Sequence, residues 1–276
     1  MRSRIGSIVR FAAAAALAGL TALAIAPPAR AAASVYLDDL TTTEVEAAVA
    51  AGATTVLVPI GGTEENGPHM VLGKHNVRAR VLAGRIAHAL GNTLVAPVIA
   101  YVPEGSIEPP SEHMRFTGTI SIPPAAFEAT LEAIAESFAA HGFRDIVFLG
   151  DHGGYRKSEA AAAARFNRTW KRSPARALAL AAYYRAAAVD FPAALRERGY
   201  TNAEIGTHAG LADTALALAV DPALVREDIL RGGRDLDAAH GVYGDPRRAT
   251  AALGAPGVDD IVRASVAAIR QALTRH

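Results

Sequence analysis

The chain has 276 residues, 51% of them hydrophobic, with a formal net charge of +1 at neutral pH. That composition excludes a disordered chain, and the length suits one sizeable α/β domain with a well-buried core. No run of Lys or Arg stands out in the body of the chain, which argues against a nucleic-acid partner, and the absence of cysteine leaves His, Asp, Glu and similar groups as the only metal ligands available.

The first residues read as a leader. Arg2, Arg4 and Arg10 give a basic start, and an apolar stretch over residues 11–26 follows. Pro27, Pro28 and the small-residue pattern Ala29-Arg30-Ala31 come next. That order is the layout of a secretory signal peptide, cleaved near Ala31 or Ala33. A membrane span needs about 20 apolar residues, more than this stretch offers. The expectation is a removable signal over residues 1–33 and a domain over 34–276. The mature protein would be periplasmic or secreted and free of the membrane.

A threonine-capped helix is expected from Thr41 onward. Residues 54–60, TTVLVPI, are β-branched and continuously apolar, as in a buried parallel strand. A helix over 76–90 and a strand over 93–99 follow. Residues 101–118 carry Pro103, Pro109 and Pro110 and read as a long loop, a type of segment that is often functional. A helix over 124–141, a strand over 144–150, a helix over 158–170 and a strand over 176–184 come after it. Helices over 209–220 and 259–273 complete the chain. Alternating strands and helices predict an α/β fold of three α/β/α layers around a mainly parallel sheet.

The polar clusters fall at strand ends. Glu64 follows the strand ending at Ile60, and Asp151 and His152 follow the strand ending at Gly150. Ligand sites in open α/β sheets lie beyond the carboxyl ends of strands. Four stretches then carry a family likeness: PIGGTEENGPHMVLGKH from Pro59, SEHMRFTGTIS from Ser111, LGDHGGY from Leu149 and THAGLADT from Thr207. A glycine-proline element, GVYGDPRRATAALG from Gly241, follows them. In this order they resemble the creatininase (creatinine amidohydrolase) family.

The resemblance implies a hydrolase of non-peptide C–N bonds in small amides, often hexameric, with two divalent metals in its dinuclear members. Matched by position, Glu64 and His152 keep two ligands of the first metal. The bridging aspartate falls at His75, and the two ligands exclusive to the second metal fall at Asn66 and Gly154. Neutral imidazole has one free lone pair and cannot bridge two metals. The expected set is therefore Glu64, His75 and His152 around one zinc ion, with a position left for water. His208 matches the family's catalytic histidine, a proton donor for the leaving nitrogen. Asn66 is expected to donate to substrate or oxyanion. Glu112, His113, Tyr155 and Asp213 are expected to contact the substrate, a small amide.

Plainer roles stand beside these. Glu64 could cap a helix, His152 could brace its loop, and His75 could face solvent beside Lys74. His69 fits a turn-fixing role, and Asp151 fits a cap, an orienter of a ligating histidine or a fourth ligand. Two further readings compete. One is a non-catalytic binding protein on the same fold. The other is a second metal rebuilt from Asp151, Glu65 or His69.

Overall fold

The computed structural model describes residues 34–274; the expected leader lies outside them. In chain order the regular elements are α1 (Thr42–Ala50), β1 (Thr55–Ile60), α2 (Lys74–Leu90), β2 (Thr93–Val95), α3 (Pro124–Ala140) and β3 (Asp145–Gly150). They continue with α4 (Arg156–Thr169), β4 (Arg176–Ala179), α5 (Ala181–Arg185), α6 (Phe191–Glu197), α7 (Asn202–Ile205), α8 (Leu211–Val220), α9 (Glu227–Gly232) and α10 (Ala251–Leu273). The strands form one parallel sheet in the order β2-β1-β3-β4.

Alternation along the strands builds the layers. Val56, Val58, Ile60, Ile146 and Phe148 pack against Phe127 and Leu131 of α3 and Phe166 of α4. Leu57, Val147 and Leu149 face the other way, onto α2, α5, α8 and α10. Both faces of the sheet are covered, and all six residues of β1 are buried, the three-layer architecture expected.

Several boundaries differ from expectation for identifiable reasons. The strand over 93–99 is regular only to Val95: Ala96 N donates to Leu57 O, but Pro59 of β1 has no N–H to return, and pairing resumes as a single bridge between Ile60 and Ile99. The strand over 176–184 stops at Ala179, where the Ala-rich stretch turns helical. α2 starts two residues early, which places His75 on a helix rather than in a loop. α10 begins at Ala251 with Thr250 as its cap, eight residues before the expected start. Gly254 there lies against the backbone of Ala215, an approach a Cβ would block.

Candidate metal centre

The carboxyl ends of β1 and β3 sit side by side, and Tyr155 ties them together. Its hydroxyl lies 2.8 Å from both Ile60 O and Gly61 O, and accepts from the backbone N–H of Asp151 (3.0 Å) and His152 (3.1 Å). Tyr155 is buried and does not line the cleft, contrary to the substrate role expected of it. Its hydroxyl is used up fixing the backbone beneath the site.

Glu64, fully buried, is the hub. Its Oε1 lies 2.8 Å from His75 Nε2 and 3.9 Å from His208 Nδ1. Its Oε2 lies 3.3 Å from His152 Nε2 and 3.4 Å from His113 Nε2. Four imidazoles from four parts of the chain thus surround one carboxylate. Burial alone would raise the Glu64 carboxyl, but His152, His75 and Lys74 hold it well below the usual range. Burial pushes His152 down to about 4, so its ring is neutral and keeps a lone pair at neutral pH.

Of the expected ligands, the structure brings His75 and His152 to Glu64. His113, expected at the substrate, also stands at the carboxylate. Glu104, which sequence reasoning passed over, completes the group: Glu64, Glu104, His113 and His152 each offer one donor atom within 4.8 Å of the others. Glu104 comes from the proline-rich loop and is 1% exposed. Backbone pairing delivers it: Val102 bridges to Ser121 and Thr63 to Ile120, and Ser121 Oγ accepts from Glu104 N at 3.0 Å. Gly62, at φ 151°, leaves the space its carboxylate enters, since a Cβ there would collide with Glu104 Oε1. The only sequence signal was one acidic residue in a loop already marked as functional.

Asn66 does not face a substrate. Its Nδ2 donates to Glu64 O at 2.8 Å and Val71 O at 3.2 Å, closing the turn that carries Glu64. Glu112 is exposed and lies outside the cleft wall, with its backbone in the left-handed region. Asp213 does reach the cleft, but as a counter-ion. It accepts from Arg78 Nη1 at 2.9 Å and from Ala209 N at 3.2 Å, and pairs with Lys74. Against burial, which would raise it, Lys74 and Arg78 hold its carboxyl well below the usual range.

Asp151 lies behind His75. It accepts from His75 Nδ1 at 2.6 Å, Arg78 Nε at 2.8 Å and Tyr183 Oη at 2.6 Å. The bare capping role is therefore set aside; Asp151 orients His75. His208 Nε2 lies 2.9 Å from the carbonyl of Glu65, which can only accept, so Nε2 carries the proton and Nδ1 is the free nitrogen toward Glu64. Glu65 does point away from Glu64, as expected, onto Gly67 N and His113. Burial works against its ionisation, but His113 and His208 hold it at about 2.

His69 is fully buried, with Nε2 at 2.9 Å from Thr214 Oγ1, and burial holds it down at about 4. An unfolded histidine near 6.5 takes a proton that the folded one refuses, so this contribution is complete above pH 6.5. It is lost as pH falls toward 4. A loss on the order of 2–3 kcal/mol is expected from this residue. Urea unfolding of the metal-free protein at pH 7 and pH 5 reads it, and His69→Gln should reduce that dependence, leaving the share of His152, which burial also holds at about 4.

A cleft of about 510 Å³ opens over this centre. His75, His113, His152 and His208 line it, together with Tyr184, Ala187, Pro192 and Leu216. The donor set fits a divalent cation on structural grounds. Both oxygens of Glu104 and Oε2 of Glu64 are buried with no hydrogen-bond partner. Burial and the adjacent Glu64 push the Glu104 carboxyl up to about 10. Two carboxylates meeting in a buried site need a proton or a cation between them.

The family model described as Creatininase, creatinine amidohydrolase, matches residues 38–269. The mycofactocin precursor peptide peptidase of Mycolicibacterium smegmatis is 32% identical over 220 residues, covering 72% of this chain and 77% of that protein. The creatinine amidohydrolase of Pseudomonas putida is 32% identical over 119 residues, covering 43% and 45%. A solved structure described as "Creatininase Mn" superposes with a TM-score of 0.72 at 23% identity, covering 86% of this chain and 98% of the other. With its sheet, its strand-end carboxylate and histidine and a match across almost the whole described domain, the chain belongs to the creatininase family of amidohydrolases.

Proposed function

We propose that the mature protein is an exported amidohydrolase that uses one zinc ion to cleave a non-peptide C–N bond in a small amide. The convergence of four imidazoles and a second, unpartnered carboxylate on Glu64 carries this reading. Glu64 and His152 would hold the cation, with His75 the third ligand expected from the sequence. Bound there, zinc supplies Lewis acidity toward a carbonyl oxygen and toward water at neutral pH. His208 Nδ1 accepts a proton and returns it to the departing nitrogen, while its Nε2 proton stays on the Glu65 carbonyl and fixes the ring. Ala187, Pro192 and Leu216 give the cleft an apolar lining for the carbon skeleton of a small amide.

A second substrate reading follows from a relative's name: the mycobacterial protein is a peptidase, and a short linear peptide is the other amide to offer. Self-association, a hexamer by family resemblance, is supported by the exposed apolar side chains Tyr101, Ile107 and Ile120. Metal analysis of the purified protein, with turnover of cyclic amides, linear amides and short peptides, tests the function. One equivalent of metal required for turnover is the expected result. Metal without turnover of any class would leave the binding-protein alternative, and two required equivalents would overturn the single-metal reading. Mass spectrometry of protein from the host's envelope should show a start near Ala32 or Ser34; an intact Met1 would refute export with cleavage.

A further inference from the structure

We propose that Glu104 and His113, both from the proline-rich loop, are cation ligands beside Glu64 and His152, and that His75 acts from behind by fixing Glu64. This rests on the metal-dependent reading above and changes which residues form the shell.

The distances favour the loop. His113 Nε2 and His152 Nε2 lie 3.4 Å and 3.3 Å from Glu64 Oε2, and His152 Nδ1 lies 3.3 Å from Glu104 Oε2. Ligands held at about 2.0–2.2 Å from one cation are at most about 4.4 Å apart. A group within 4.8 Å closes on a cation by shifts of a few tenths of an ångström.

Partnering favours the loop as well. Glu104 is buried with neither oxygen hydrogen-bonded, and Glu64 Oε2 beside it is equally without a partner. Buried carboxylate oxygens without donors are costly, and a cation between them removes that cost. His75 is held more tightly: its Nδ1 lies 2.6 Å from Asp151 and its Nε2 2.8 Å from Glu64 Oε1, both full hydrogen bonds, whereas the nitrogens of His113 stand 3.4 Å from Glu64 and Glu65. A ring held that way orients Glu64 and leaves Oε2, the unpartnered oxygen, to face the cation.

Zinc and manganese affinities, measured by chelator competition, test the assignment in the wild type and in Glu104→Gln, His113→Gln and His75→Gln. Loss of an outer-shell partner costs about 10–100-fold in affinity. His75→Gln should fall in that range and still take up one equivalent. Glu104→Gln and His113→Gln should each lose more. The melting temperature of metal-free Glu104→Gln should equal or exceed that of the metal-free wild type, because no internal hydrogen bond is removed. A merely structural glutamate would lower it. Nitrogen-15 histidine spectra of the zinc-loaded wild type give a check free of substitutions: cation-bound nitrogen at His113 and His152, none at His75. Wild-type affinity in both loop variants, a greater loss in His75→Gln than in either, or a cation-bound His75 overturns the proposal and restores the set read from the sequence. A wild type that takes up neither metal overturns the metal-dependent reading itself, and the assignment with it.

Discussion

Glu64→Gln is expected to leave the protein folded, nearly free of metal and inactive. Gln keeps the shape of the side chain but carries no charge, and it cannot offer two anionic oxygens to the imidazoles around it. Oε1 faces His75 and His208, and Oε2 faces His113 and His152, so one substitution weakens every approach to the centre. The Lewis-acid contribution to amide hydrolysis is several kcal/mol, and each 1.36 kcal/mol is tenfold in rate. Turnover should therefore fall by about three orders of magnitude or more. Metal content by mass spectrometry and initial rates on the same preparation check it. Full metal content would show that Glu64 is not the hub.

Asp151→Ala is expected to be among the most destabilising substitutions in the chain. Asp151 is 2% exposed and takes hydrogen bonds from His75, Arg78 and Tyr183. Its removal leaves the Arg78 guanidinium, itself 4% exposed, with Asp213 alone. Breaking a buried pair from one side costs about 3–5 kcal/mol, since the other charge remains without its partner. In a domain of this size, 1 kcal/mol moves the melting temperature by about 2–4 °C, so a drop on the order of 10 °C is expected. Calorimetry of the metal-free variant reads it. A drop of only a degree or two would show that Arg78 finds a substitute partner.

The fold was legible because its signals are local. The apolar run before Ile60, the β-branched strand before Gly150 and the helices between them each carry their own period. Strand-end placement and the family likeness together pointed to Glu64 and His152, which the structure sets 3.3 Å apart. What the sequence hid was long-range. Glu104 stands 40 positions after Glu64 and reaches it through backbone pairing at Val102, Thr63 and Ser121, none of which has a sequence signature. Asn66 stands where the resemblance puts a second-metal ligand and Tyr155 where it puts a substrate contact, yet Asn66 Nδ2 and the Tyr155 hydroxyl close onto backbone groups. Motif spacing records which residues are near the site; it does not record which way a side chain turns.

The buried contact between His75 and Asp151 also bears on how this site can change over generations. By the resemblance, the family carries an aspartate at the place of His75 and a glycine at that of Asp151. An aspartate at 75 alone would face Asp151 across a gap now filled by an imidazole that donates at 2.6 Å, setting two acids against one another. A glycine at 151 alone would leave the buried Arg78 with Asp213 as its one carboxylate partner. Each single substitution is therefore costly, and the two positions are coupled to one another. The double variant His75→Asp, Asp151→Gly should accordingly be more stable than the sum of the two single losses predicts, a coupling that a double-mutant cycle measures directly.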